Sequence, residues 1–337
     1  MTGSDTVREM AGKTEQAGAA QKPGSGGRPV KPPLMTRTIP MALAALTCCF
    51  LWGSAVPAVR LGFSSMGIET SDAGSQLVFA GLRFTLSGLC ILAFYFARHG
   101  GPRLLTRPEL SRAAVLSVFQ TFGQYLPYYI GLAHVTGVTA SVIQGVKPII
   151  AFLIAALFFR MEPVTGAKLL GCALGFVGVL VGNASSLAGM GFSMEGEGLM
   201  VLAAVSAAMS AALIGKLSRD EDPVVLAGGQ FVIGGVALLA VGLLLGGSVS
   251  LGGPLQLATL AWLVMVSAVA YGLWGVLLSV NDVSRVEMFS FLIPVAGVLL
   301  SLLVLGDEGQ PVGATTFVGL AIACAGITLV NRRAKAR

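Results

Sequence analysis

Runs of predominantly apolar residues long enough to cross a bilayer, about 20 residues each, follow one another along nearly the whole chain. They occupy approximately residues 39–61, 76–97, 112–132, 137–159, 165–182, 196–215, 223–246, 258–279, 284–304 and 311–330. In hydrocarbon every backbone N–H and C=O must be paired within the protein, so only helices and closed barrels can span it. Barrel strands alternate polar and apolar residues, whereas these runs are apolar throughout. Charged residues make up 11% of the chain, against about 25% in a soluble domain. The expected class is an all-α integral membrane protein of ten transmembrane helices.

Residues 1–36 differ, being rich in Gly, Pro, Ser, Lys and Glu without an apolar run. Such a segment is expected to remain a disordered tail, and it has no apolar core of the kind a cleaved signal peptide needs. Lys and Arg accumulate on the cytoplasmic side of membrane proteins. Here they fall in the tail, in the loop of Arg98, Arg103, Arg107 and Arg112, in every second later connection (Arg160 with Lys168, Lys216 with Arg219, Arg285), and in residues 332–337. The intervening loops near 62–75, 133–136, 183–195, 247–257 and 305–310 hold neither. Both termini are therefore expected in the cytoplasm of a cell with this protein in its inner (plasma) membrane. The net charge of +6 follows from that sorting and requires no nucleic-acid partner. Cys48, Cys49, Cys90, Cys172 and Cys324 fall in the spans and are read as packing residues. His99 and His134 sit at helix ends, and no metal-ligand or nucleotide-binding spacing occurs, so no cofactor is expected.

The chain also repeats itself. At an offset of 146 residues Tyr125 aligns with Tyr271, Tyr128 with Trp274, Pro148 with Pro294, and Glu162 with Glu308. Arg83 in FAGLRFTLSG aligns with Gln230 in LAGGQFVIGG. Each copy, residues 37–183 and 196–331, holds five of the expected helices. Five being odd, the second copy enters the membrane from the other side, so the repeats are inverted. Inverted repeats place a solute site near the midplane and permit two near-equivalent arrangements, one open to each side.

In FLWGSAVPAVRLG, LRFTLSG, TASVIQGVKPIIAFLIAALFFRMEP and FSFLIPVAGVLLSLLVLGDE, residues 39–331 resemble the EamA-type ten-helix exporters of the drug/metabolite transporter superfamily. The resemblance implies two inverted five-helix repeats, a central cavity, and transport of small organic solutes, often outward.

Few polar residues lie within the spans, and these are the candidates for solute contact. Lys147 lies at the middle of the fourth span, where a charge costs about 2.5–3.5 kcal/mol on insertion scales, and it precedes Pro148, which weakens the local helix. It departs from the family pattern and is a natural partner for a carboxylate or phosphate; Gln144, one turn earlier, is its local alternative partner. Arg83 serves either solute binding or helix joining, and Arg60 reads as an interfacial anchor. Tyr125 with Tyr128, and Tyr271 with Trp274, lie three residues apart on a helix face, and the two pairs are expected to face each other across the cavity. Trp52 is a further aromatic candidate. Pro148 and Pro294 are expected helix breaks. Glu287, placed near the cytoplasm, carries either a coupling proton or a structural pairing with Arg285 or the helix N-terminus; Asp282 is expected to cap that helix. Without an acid at the midplane, anionic, zwitterionic or neutral solutes are expected over lipophilic cations.

The resulting expectation is a secondary transporter of a small organic metabolite such as an amino acid or organic acid, working as monomer or homodimer by alternating access, without enzymatic activity. The alternatives are a broad exporter of hydrophobic compounds and, with less to support it, a membrane-embedded enzyme or lipid-handling protein.

Overall fold

The apolar runs form helices that end or change pitch at their capping residues, prolines and glycines. The computed structural model describes residues 34–135, 137–184, 192–305 and 314–332. The expectations for residues 1–33, for Glu308 and for residues 333–337 lie outside them. We number the helical segments in chain order: α1 (Thr38–Met66) and α2 (Ala73–Arg98) are continuous. α3 runs as Arg107–Ser117, a wider π turn at Val118–Phe122, and Gly123–Leu132. α4 comprises Gly137–Gln144, Lys147–Leu153 and Ile154–Phe158, and α5 is Gly166–Gly182. α6 joins Met194–Gly198 to Leu199–Leu217, followed by α7 (Pro223–Leu244) and α8 (Pro254–Val280). α9 comprises Val283–Glu287, a 3₁₀ stretch at Met288–Leu292, and Ile293–Leu305; α10 is Ala314–Arg332.

The described residues contain no strand. Among them, seven helices are long and apolar enough to cross a membrane (within α1, α2, α4, α6, α7, α8 and α10), and α5 is a shorter apolar helix. By length and composition these are seven of the expected ten spans, with α5 an eighth, shorter apolar helix. Helix starts carry their own chemistry. The Glu109 carboxylate accepts the Thr106 N–H at 2.7 Å while the Thr106 hydroxyl accepts the Glu109 N–H at 3.4 Å, a reciprocal cap. The Arg103 guanidinium donates to the same carboxylate and holds its pKa down at about 2. Asp72 and Asp222 accept backbone N–H groups at the starts of α2 and α7.

Packing between the halves follows two-fold logic. α1 lies against α8 and α9, and its equivalent α6 lies against α3 and α4; α2 packs on its own equivalent α7, and α5 on α10. The two self-paired contacts are lined with glycine at seven-residue spacing. A Cβ on Gly81 or Gly235 would stand 2.5 Å from the backbone nitrogen of Leu239 or Thr85 across the α2/α7 contact. On Gly178 or Gly326 it would stand 2.6 Å from the Gly319 or Gly171 carbonyl oxygen across α5/α10. Small residues let membrane helices approach to backbone contact, where dispersion substitutes for a hydrophobic effect that lipid cannot supply.

Candidate functional site

The helix pairs leave a cavity of about 440 Å³ between the halves, lined by residues of α1, α2, α3, α4, α5, α6, α8 and α9. Lys147, Gln144, Tyr125, Tyr128, Tyr271, Trp274, Arg83, Trp52, Pro148, Pro294 and Glu287 all face it. Their convergence comes from the repeat: the Tyr125 and Tyr271 hydroxyls hydrogen-bond each other, so the pseudo-two-fold axis passes between two residues that occupy the same place in the two copies. The aromatic pairs therefore meet rather than face each other across open space. Trp52 stands edge-on to both Tyr271 and Trp274, with ring centroids 5.0 Å apart in each case. Tyr128 leans edge-on against Tyr125 and Tyr129.

The helix interruptions supply the polar groups. α4 breaks at Gly145 and Val146, so Lys147 opens the next helical segment instead of lying within a continuous helix. The 3₁₀ stretch Met288–Leu292 of α9 occupies the equivalent place in the second half, with Pro148 and Pro294 just beyond each interruption. Where proline removes an N–H and its ring crowds the preceding turn, the regular ladder cannot continue, and neighbouring side chains become free to project into the cavity.

Glu287 requires correction. Its carboxylate is buried in the cavity wall, 3.1 Å from the Lys147 ammonium, and it accepts the Trp274 indole N–H at 2.9 Å. Arg285 turns instead to the Asn331 side chain at 3.3 Å. Glu287 therefore brings an acid into the cavity wall beside Lys147, and Gln144 is not the partner of Lys147; the Gln144 amide nitrogen is buried without a hydrogen-bond partner. The pairing escaped sequence reasoning because 140 residues separate two groups whose contact depends on how α4 and α9 break.

Asp282 is corrected too: it precedes α9 but its side chain does not cap it. Its carboxylate meets the Lys168 ammonium at 3.0 Å. The cap comes from the other half, since Glu162 accepts the Ser284 N–H at 3.0 Å and, through its second oxygen, the Ser284 hydroxyl and the Lys168 ammonium. Glu162 and Ser284 are buried, so this network ties the α4/α5 connection to the start of α9. Other contacts gather the Lys- and Arg-bearing connections at the same end: Arg112 with Glu221 and Asp220, and the Asn281 amide with the Met35 carbonyl.

Arg83 is 4% exposed, donates from Nε to the Ser267 hydroxyl at 2.8 Å, and stands 5.0 Å over the Phe84 ring. Its counterpart Gln230 makes the matching bond in the other half, accepting from Thr121. Arg60 also lines the cavity, from an exposed position. Sequence reasoning missed Gln120, Gln124, Tyr129 and Ser210, which line the same wall. A count of amide side chains within apolar spans would have found the two glutamines.

The described cysteines are free thiols, and the described residues contain no cluster suited to a metal.

Comparison with known proteins agrees with this architecture. The profile of the EamA-like transporter family matches residues 39–183 and 194–332. An uncharacterized transporter of Archaeoglobus fulgidus is 25% identical over 86% of this chain and 97% of its own. A protein of Salmonella typhimurium described as a "probable amino-acid metabolite efflux pump" is 28% identical over 78% of this chain and 86% of its own. A crystal structure 23% identical to this chain superposes with a TM-score of 0.69, covering 87% of this chain and 96% of the other, and shares the fold.

Proposed function

The chain belongs to the EamA-like transporter family, and on that premise we propose that it exports a small zwitterionic metabolite of the amino-acid class across the cytoplasmic membrane by alternating access. It is a membrane transporter and not an enzyme. The observation that carries the reading is the Lys147–Glu287 pair in the cavity wall. An ammonium and a carboxylate held together in low dielectric are expensive to desolvate, and a solute bearing both charges can exchange one internal pair for two external ones. Its carboxylate meets Lys147 and its ammonium meets Glu287. The rings of Trp52, Tyr271 and Trp274 then take its apolar part.

The inverted repeat supplies the motion. In the positive-inside orientation the Glu162–Lys168–Asp282–Ser284 network lies at the cytoplasmic end and closes the cavity there. Glu287 lies one helical turn beyond Ser284, so occupation of the carboxylate and release of the network act on the same short helix. Ten crossings with both termini inside are the arrangement these loops and halves support. Without a nucleotide-binding motif, energy comes from a solute or ion gradient, with Glu287 as the carrier of a coupling proton. Export is supported by the name of the Salmonella relative.

Counterflow in proteoliposomes tests this. Amino acids loaded inside should accelerate entry of labelled substrate, and Lys147→Ala should abolish the effect. The aromatic lining favours one second reading, a broad exporter of hydrophobic compounds. Intact transport of hydrophobic compounds by Lys147→Ala, together with no amino-acid counterflow in the parent, would select it.

A further inference from the structure

Resting on the transport reading above, we infer that the preferred solute carries a second acid beyond its zwitterionic head, and that Arg83 holds it. Three charged side chains line the interior of the cavity: Lys147, Glu287 and Arg83. The first two neutralise each other. Arg83, almost fully buried, has no carboxylate partner among the described residues; only its Nε is engaged, by Ser267. Arg60 shares the wall but from an exposed position, whereas Arg83 is almost fully buried. The described residues thus leave one buried guanidinium without a carboxylate. Aromatic stacking on Phe84 compensates only in part for the missing counter-ion. A simple zwitterion adds no net charge and leaves the imbalance in place, whereas a solute of net charge −1 removes it.

Unmatched hydrogen bonds point the same way. The Trp52 indole N–H and the Gln144 amide nitrogen, both lining the cavity, are buried without partners, as is the Gln120 side-chain oxygen. The second Glu287 carboxylate oxygen likewise makes no hydrogen bond and keeps only its ion pair with Lys147, so the surplus of donors in the wall comes from the Arg83 guanidinium nitrogens that Ser267 does not engage, and a carboxylate is the group that accepts from donors without demanding acceptors in return. Between Arg83 and the Lys147–Glu287 pair runs a line of rings in contact: Phe84 with Tyr125, then through the hydroxyl bond to Tyr271, Trp52 and Trp274. The solute class that fits is an amino acid whose side chain is an apolar stem ending in an acid: an aminodicarboxylate.

The test compares glutamate and its longer homologues with their side-chain amides, read in the purified protein by ligand-induced thermal stabilisation and, separately, by counterflow. A charge-assisted bond to a buried guanidinium corresponds to an affinity advantage of about 10- to 100-fold for acid over amide. Arg83→Gln should erase the advantage while leaving amide binding in place, and Arg83→Lys should retain part of it. Equal affinity of acid and amide in the parent protein overturns the inference whether or not any variant folds. Equal loss of both ligands in Arg83→Gln, unrelieved in Arg83→Lys, overturns it as well, since it marks a purely structural arginine. Acid-selective binding without counterflow would uphold this inference and refute transport of these solutes. Counterflow of neutral amino acids without acid selectivity would do the reverse.

Discussion

If the Glu162 network closes the cytoplasmic end of the cavity as proposed, replacing Glu162 with glutamine should open it there. Glu162 is buried, and its carboxylate collects the Lys168 ammonium and both the N–H and the hydroxyl of Ser284. Removing one partner of a buried charge pair typically costs about 3–5 kcal/mol, because the other charge stays behind. Lys168 retains Asp282 at 3.0 Å, but that carboxylate is 45% exposed, and an exposed contact returns about 1 kcal/mol at most. The closed arrangement should thus lose about 3 kcal/mol relative to one in which these groups separate and hydrate. At about 1.4 kcal/mol per decade, the equilibrium shifts roughly 100-fold toward opening. The assay is the labelling of a single cysteine at Ile214, a cavity-lining position, in a background without the native cysteines. A membrane-impermeant maleimide is applied from the cytoplasmic face in inverted vesicles. A labelling rate within about threefold of the parent in a folded Glu162→Gln protein would refute the gate, since it lies far below the shift expected from the buried pair.

Lys147 and Glu287 should behave as a unit: each neutralised alone should destabilise the protein by about 3 kcal/mol, and the double replacement by less than either, measured as a thermal double-mutant cycle. Trp274→Phe removes the 2.9 Å bond to Glu287 and should weaken solute binding about tenfold, equivalent to a charge-assisted hydrogen bond of about 1.5 kcal/mol, with fold stability read in parallel. Gly81→Val should prevent recovery of folded protein, because its Cβ would enter the Leu239 backbone, while Gly272→Ala, which would meet nothing within 4 Å, should be silent in the same expression assay. The Glu109 carboxyl, held at about 2 chiefly by Arg103, is ionised in the fold more readily than in the unfolded chain. Its contribution of about 1 kcal/mol, discounted because Arg103 is partly in water, should be complete above about pH 4.5 and vanish as pH falls toward about 2. The difference in melting temperature between parent and Glu109→Gln should shrink over that window.

Much of the machine was legible in the residues. Ile and Leu runs announce helices in lipid because partition into hydrocarbon is a property of each residue and sums locally. The aligned Tyr125 and Tyr271, and Pro148 and Pro294, announce a two-fold axis because duplication copies residues in register; the structure brings each of the selected site residues to one cavity. The partners of the charges were not legible. Glu287, expected to carry a coupling proton or to pair with Arg285 or the helix N-terminus, meets Lys147 across the halves; Asp282, expected as a cap, meets Lys168, and Glu162 supplies the cap across the halves.

Class, helical character and the duplicated plan thus follow from the chain alone, since they depend on composition, periodicity and order. The ion pairs, the cavity lining and the Arg83 guanidinium without a carboxylate partner among the described residues emerge only on folding. A hydrogen bond or ion pair exists within about 3 Å or not at all, and that distance is set by where α4 and α9 break and how closely the glycine seams let α2 and α7 approach.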